Sequence, residues 1–314
     1  MLPKAPNVSE VITVLSGGVG AARLLSAMSN ATDPSQLTAV VNVGDDLVLH
    51  GLTICPDLDT ITYTLAGLNN DVLGWGLAGE SWRVMDELSA LGGASWFRLG
   101  DRDLATHLYR SQRLGEGATK TDVTRELSEH FALKVRLLPV TDDTIATEFD
   151  TGMGRLSFQQ YFVQHRHDVE VDAIRVTGAE EARATPQVLE ALEESSRIVI
   201  APSNPLISID PILMVPGVRD ILERRRSDVI AVSPIINGAA LKGPADRLMR
   251  ELGYDVSCVG VADFYKGLVG TLIIDEADCE LDEAVRARGI NVLVTTTIMA
   301  DPANARRLAR AVLS

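Results

Sequence analysis

The sequence predicts a doubly wound, mostly parallel, Rossmann-like α/β sheet with a helical insertion, and three observations lead there. Short β-branched runs ending in Gly, Ser, Asn or Asp recur: Val11–Leu15, Thr38–Val43, Arg197–Ala201, Asp228–Ser233, Gly270–Asp275 and Asn291–Thr296. Strands buried on both faces have this uninterrupted apolar character. Between them lie amphipathic stretches such as Thr185–Glu194, Gly217–Arg226, Pro244–Leu252 and Pro302–Leu313. Such alternation implies crossover connections and ligands bound beyond the carboxyl ends of the strands. From residue 74 to 133 the alternation stops, and Glu80–Leu91, Asp101–Arg113 and Thr121–Phe131 follow one another as helices. The expected organisation is a nucleotide- and metal-binding core, residues 1–73 and 134–314, with an insertion at 74–133. A segment of about 60 residues buries little core alone, so it is expected to cover the ligand edge of the sheet.

Composition narrows the function. The chain has 314 residues, 46% of them apolar, enough for a substantial core. A net charge of -14 and a pI near 4.8 oppose broad attachment to nucleic acid or anionic membrane. No apolar run approaches the roughly 20 residues a spanning helix needs. Met1–Glu10 lacks the charged and apolar regions of a secretory signal. Cys55, Cys258 and Cys279 are odd in number and far apart, fitting neither a disulfide framework nor a paired zinc site. The expectation is a reduced, cytoplasmic protein.

The first strand runs into Ser16-Gly17-Gly18-Val19-Gly20-Ala21-Ala22-Arg23. Gly17, Gly18 and Gly20 would let backbone amides approach phosphate oxygens at a helix N-terminus. No Gly-Lys-Ser/Thr follows, so this is not a Walker A loop, and Arg23 stands where a dinucleotide fingerprint has its third glycine. Alone, the loop suits a tight turn as well as a phosphate.

The second strand ends in Asn42-Val43-Gly44-Asp45-Asp46, and Pro56-Asp57-Leu58-Asp59-Thr60 opens a helix about a dozen residues later. Four carboxylates at one strand end repel unless a cation or basic group compensates. Mg²⁺ commonly binds through one or two carboxylates together with substrate phosphates, which suits the adjacent glycine loop. Asp45, Asp46, Asp57 and Asp59 are therefore candidate metal ligands. The competing reading is that Asp57 or Asp59 caps its helix and the others are solvated.

Arg98-Leu99-Gly100-Asp101-Arg102-Asp103 precedes another helix; an N-cap explains one aspartate but not Arg98 and Arg102, which could hold phosphate or pair with carboxylates. Ala201-Pro202-Ser203-Asn204-Pro205 and Ser233-Pro234-Ile235-Ile236-Asn237-Gly238 close two later strands. Ser203, Asn204 and Ser233 are thus candidates for contacting a base or ribose. The five histidines show no metal-ligand spacing, and His165 with His167 reads as a pair of polar side chains facing solvent.

Taken in order, Ser16-Gly17-Gly18-Val19-Gly20, Asn42-Val43-Gly44-Asp45-Asp46, Pro56-Asp57-Leu58-Asp59-Thr60, Leu99-Gly100-Asp101-Arg102-Asp103, Ala201-Pro202-Ser203-Asn204-Pro205 and Ser233-Pro234-Ile235-Ile236 resemble the 2-phospho-L-lactate transferase family over nearly the whole chain. The resemblance implies a step of coenzyme F-420 biosynthesis. A phospholactyl or phosphoenolpyruvyl group passes from a guanosine diphosphate-linked donor to the deazaflavin 7,8-didemethyl-8-hydroxy-5-deazariboflavin, and GMP leaves. It implies Mg²⁺ as cofactor and a homodimer, with Asp59 and Arg98 at deazaflavin-binding positions and the insertion covering that site. Metal ligands are expected from Asp45, Asp46, Asp57 and Asp59; the family also carries Glu where Asp45 stands. The Val-Gly-Asp-Asp spelling resembles bacterial members, which favours the enolpyruvyl donor.

The chemistry expected is in-line attack of the deazaflavin hydroxyl on the donor's distal phosphorus, with Mg²⁺ and the Gly17–Gly20 amides stabilising charge. Asp46 or Asp59 would orient or deprotonate the hydroxyl. Two rivals share the fold. A non-catalytic nucleotide-sugar-binding regulator would keep the glycine loop and Asp45-Asp46 but has little use for the two Asp-x-Asp motifs. A nicotinamide-dependent dehydrogenase would use an acidic residue at the second strand end but not four.

Overall fold

Along the chain, strand β1 (Ile12–Ser16) leads to helix α1 (Gly18–Ser29), strand β2 (Leu37–Val41), the hairpin β3 (Leu47–Leu49) and β4 (Leu52–Ile54), and helix α2 (Pro56–Leu65). Helices α3 (Arg83–Ala90), α4 (Asp101–Gly115) and α5 (Lys120–His130) follow before strand β5 (Arg136–Pro139). Next comes an antiparallel group, β6 (Ala146–Thr151), β7 (Gly154–Ser157) and β8 (Val171–Thr177). The second half runs α6 (Pro186–Glu194), β9 (Arg197–Ile200), α7 (Asp210–Leu213), α8 (Val218–Arg224), β10 (Val229–Val232), the hairpin β11 (Ile235–Ile236) and β12 (Ala239–Ala240), α9 (Ala245–Glu251) and α10 (Cys258–Phe264). It closes with β13 (Thr271–Ile274), α11 (Asp282–Arg286), β14 (Asn291–Val294) and α12 (Pro302–Leu313). This computed structural model describes residues 11–70 and 74–314. The leader reading of Met1–Glu10 and the segment boundary at residue 73 lie outside the described residues.

Seven strands form one sheet in the order β14-β13-β10-β9-β1-β2-β5, each neighbour pair parallel. The chain lays β1, β2 and β5 outward in one direction, then returns to place β9 on the other side of β1. The β1/β9 border is thus the topological switch point, where the loops leaving two neighbouring strands diverge and open a crevice. β1 and β2 are buried along their whole lengths, as their apolar runs require.

The six strands read from the sequence all lie in this sheet, to within one or two residues at their ends. The seventh, β5, is a short edge strand ending in Pro139, a position where a missing amide donor is tolerated. The antiparallel β6–β8 group has no counterpart in that reading. Along β6, burial alternates residue by residue, a half-solvated pattern unlike the continuous runs that mark the main sheet.

Between α2 and β5 the described residues contain helices and no strand. Ile54, Met85, Leu99 and Leu104 form a small apolar core of their own, with Leu47, Leu49, Leu52, Leu88 and Phe97 against it, so α3 and α4 sit on the β3–β4 hairpin beside the sheet. α5 instead packs against β5, as a crossover helix does. Capping joins the first two helices reciprocally. Asp101 of α4 accepts from the amides of Arg83 and Val84 at the start of α3, and Glu80 accepts from the amides of Arg102 and Asp103 at the start of α4.

Candidate active site

The glycine loop after β1 and the Ala201–Pro205 loop after β9 meet at the switch point. Gly18 has φ +71°, a conformation costly for residues with a Cβ. A Cβ on Gly20 would lie 2.3 Å from the carbonyl oxygen of Pro202, so only glycine lets the two loops touch. Ser203 Oγ donates to the Gly17 carbonyl at 2.8 Å and joins them. Asn204 Oδ1 accepts from Leu206 N at 3.0 Å, while its Nδ2 is buried with no hydrogen-bond partner among the described residues. Ser233 uses its hydroxyl on its own turn, donating to the carbonyl of Ile235.

These residues line a cleft of about 330 Å³ that contains Gly17, Gly18, Gly20, Asp45, Asp57, Ser203, Asn204 and Ser233. Its far wall is apolar, with Pro234, Ile236, Leu241 and Met299, and its cations are Arg23 and Lys242. Asp57, in the first turn of α2, does not cap that helix. Its Oδ1 accepts from Gly18 N at 2.7 Å and its Oδ2 from Asn42 Nδ2 at 3.0 Å. Asn42 Nδ2 also faces Asp45 Oδ1 at 3.4 Å.

A second cavity of about 300 Å³ lies between α2 and the α3–α4 region. Asp59, Asp103 and His107 stand among an apolar set that includes Tyr63, Trp75, Trp96 and Phe97, and Arg98 is at the rim. Arg98 pairs with Asp86 at 3.2 Å and stacks over Trp82 at 4.9 Å. Thr60 and Trp75 line both cavities. A one-turn π-helix, Gln160–Gln164, and the residues before it form another common wall: Phe158 and Phe162 face the first cavity, Gln159 and Val163 the second.

A family profile described as 2-phospho-L-lactate transferase CofD matches residues 12–311. The chain belongs to that family. It is 41% identical over 308 residues to a phosphoenolpyruvate transferase of Streptomyces griseus, covering 96% of this chain and 97% of that one. It is 40% identical to the phosphoenolpyruvate transferase of Mycolicibacterium smegmatis, covering 96% and 97%, and 36% identical to the 2-phospho-L-lactate transferase of Methanosarcina mazei, covering 96% and 98%. A crystal structure of a Bacillus halodurans protein superposes with a TM-score of 0.66 at 16% identity, over 97% of this chain and 99% of that one, a likeness of fold alone.

In this transferase the four aspartates of the two motifs have separate surroundings. Asp46 forms an ion pair with Lys120 of α5 at 2.6 Å, with both side chains largely buried, and lines neither cavity. Asp59 is held by Arg110 of α4, whose Nη1 donates to Oδ2 at 3.1 Å and whose Nη2 bonds Oδ1. Asp45 and Asp57 have no ion pair among the described residues. Burial, with the neighbouring Asp57 and Asp46 charges, pushes the Asp45 carboxyl well above its ordinary range. Burial lifts Asp57 to about 6, against the hydrogen bonds from Asn42 and Gly18.

Two buried acidic groups therefore have donor sets a metal ion can use. One is Asp45 with Asp57. The other is Asp59, Asp103 and His107, whose ligand atoms lie within 4.8 Å of one another. The second group is already engaged: Arg110 Nη1 lies 3.2 Å from His107 Nδ1, His107 Nε2 faces Asp103 Oδ2 at 3.4 Å, and Tyr63 donates to Asp103 Oδ1 at 2.7 Å. A guanidinium has only donors, so in this contact His107 Nδ1 is the acceptor.

Arg110, His107 and Lys120 did not emerge from sequence reasoning. Asp103, His107 and Arg110 recur at i, i+4 and i+7, one face of α4, and that polar stripe was the available signal. No local pattern marks Lys120, which lies 74 residues from Asp46. Among the described residues, no helix is long and apolar enough to cross a membrane.

Proposed function

We propose that this chain moves a phosphoenolpyruvyl or 2-phospholactyl group from a guanosine diphosphate-linked donor to the terminal hydroxyl of 7,8-didemethyl-8-hydroxy-5-deazariboflavin, with release of GMP, in coenzyme F-420 biosynthesis. The observation that carries this reading is the meeting of two unlike cavities at Thr60 and Trp75. One has a glycine loop, a helix N-terminus and a carboxylate pair, the features that hold a diphosphate and its cation. The other has apolar and aromatic walls, suited to a planar tricycle. A group passing from one to the other crosses the common wall. The enolpyruvyl donor is favoured by the name that the Streptomyces and Mycolicibacterium relatives carry.

In this reading the diphosphate lies at the amides of Val19 and Gly20, since Asp57 already engages that of Gly18. Asn204 Nδ2, a buried donor without a partner among the described residues, supports a further contact with the donor substrate. Mg²⁺ fits Asp45 and Asp57, whose mutual repulsion a cation would relieve, whereas Lys120 and Arg110 already compensate Asp46 and Asp59. When bound, it supplies charge neutralisation for the diphosphate. Asp59 faces the acceptor cavity and would accept a hydrogen bond from the deazaflavin; a dedicated base is not required, because phosphoryl-type transfer rests chiefly on positioning and electrostatics. Arg98 at the rim would contact the ring's polar edge.

Three unpaired cysteines fit a reducing cytoplasm, and a homodimer is the assembly we expect, to be checked by light scattering. Mass spectrometry of the product formed from the deazaflavin with each guanosine diphosphate-linked donor tests the reaction. A phosphodiester-linked adduct with GMP release supports it. Binding of both ligands without turnover would instead favour a regulatory protein of the same fold.

A further inference from the structure

We propose that Arg110 is a positioning residue for the acceptor: its two-point grip on Asp59 fixes that carboxylate at the edge of the apolar cavity as a pure hydrogen-bond acceptor for an alcohol, removed from the metal site. This rests on the functional reading above. Arg110 is 3% exposed and Asp59 6%, so the pair is desolvated, and the planar guanidinium engages both oxygens of Asp59 at once. Buried polar side chains pack behind the guanidinium. His107 Nδ1 accepts from Arg110, His107 Nε2 faces Asp103, and Tyr63 donates to Asp103. Every member of this chain is buried. Two carboxylates and one guanidinium run along it beside aromatic walls. That arrangement accepts hydrogen bonds from a neutral polyol and disfavours a phosphorylated analogue.

The same geometry separates the roles of Asp57 and Asp59. Asp57 faces the glycine loop, whereas Asp59, with each oxygen bonded to Arg110, lines the acceptor cavity.

The test uses the full chain, with deazaflavin binding followed by fluorescence, Mg²⁺·GDP binding by calorimetry, and steady-state kinetics. Arg110→Lys keeps the charge but loses the fork. It is expected to raise the deazaflavin KM about tenfold while kcat falls less than about threefold and Mg²⁺·GDP affinity is unchanged. Arg110→Met leaves Asp59 unpaired and should weaken deazaflavin binding at least about thirtyfold. Asp59→Asn/Arg110→Met removes both charges, guarding against simple unfolding, and should still bind deazaflavin poorly. Wild-type deazaflavin affinity in that double variant, or in Arg110→Lys, would mean that Arg110 only neutralises a buried charge and overturns the proposal. A matching loss of Mg²⁺·GDP binding in Arg110→Lys overturns it too, by putting Asp59 back in the metal site. Failure of the unaltered protein to bind deazaflavin while it binds Mg²⁺·GDP overturns the functional reading, and this inference with it.

Discussion

Asp57 accepts a hydrogen bond from the backbone amide of Gly18 at 2.7 Å, across 39 residues of sequence. A carboxylate of α2 thus occupies part of the N-terminus of α1, a place that favours anions. The bond ties the acidic motif to the glycine loop before any ligand arrives. It also loads the cleft with negative charge that a cation can relieve.

Asp57 should contribute a loss of stability to the ligand-free protein as pH rises from about 4 to about 6. Asp57 titrates near 6 when folded against an ordinary 3.8, so in that interval the folded chain holds the extra proton and ionisation favours unfolding. The penalty is complete above about pH 6, on the order of 1–3 kcal/mol. Asp57→Asn should therefore melt at a higher temperature than the parent at pH 7.5 and about equally at pH 4. Mg²⁺ should raise the parent's Tm more at pH 8 than at pH 5. A pH-independent difference between the two chains would remove Asp57 as the source.

Turnover should fall at least about a hundredfold in Asp57→Asn, because several kcal/mol of metal-borne stabilisation would be lost. Asp45→Asn should behave alike. Both should lose Mg²⁺-dependent tightening of GDP binding, seen by calorimetry in matched buffers with and without the ion. Retained tightening in either variant takes that residue out of the metal site.

Gly20→Ala should separate the glycine loop from the Pro202 loop. The new methyl would overlap the Pro202 carbonyl, which belongs to backbone and cannot swing aside. The expected cost is about 1–3 kcal/mol of stability, with weaker GDP binding. An unchanged Tm and GDP affinity would mean that the loops adjust freely.

Lys120→Met should destabilise the fold by about 3–5 kcal/mol, since it leaves Asp46 buried and unpaired. Asp46→Asn/Lys120→Met should recover much of that loss. Urea titration of the three variants measures both effects, and a Lys120→Met chain as stable as the parent would show that water reaches Asp46.

Adding the deazaflavin without donor should quench tryptophan fluorescence, through Trp75 and Trp96 on the cavity wall. Arg98→Ala should weaken that response more than it weakens GDP binding. The opposite order would exchange the two cavities' ligands.

The parallel sheet was legible because its signals are local. Continuous apolar runs ending in turn residues mark strands buried on both faces, and the six such runs are six of the seven strands. β6 to β8 were not legible, since a half-solvated strand such as Ala146–Thr151 blends with polar loop sequence. Arg110 stayed hidden for a different reason: a buried arginine is spelled like an exposed one until its carboxylate partner is known.

By itself, then, the sequence determined the sheet, the glycine turn, the crowding of aspartates at one strand end and the family to which the chain belongs. Periodicity, turn chemistry and motif spacing are properties of neighbouring residues. Only the tertiary structure decided which aspartate lines which cavity. At 3.6 residues per turn, side chains two apart on a helix point about 200° away from one another. Asp57 therefore faces the glycine loop while Asp59 faces the aromatic cavity, although the motif Pro56-Asp57-Leu58-Asp59-Thr60 presents them as a pair. Their partners, Gly18 and Arg110, come from 39 residues before and 51 residues after, distances over which no local rule operates.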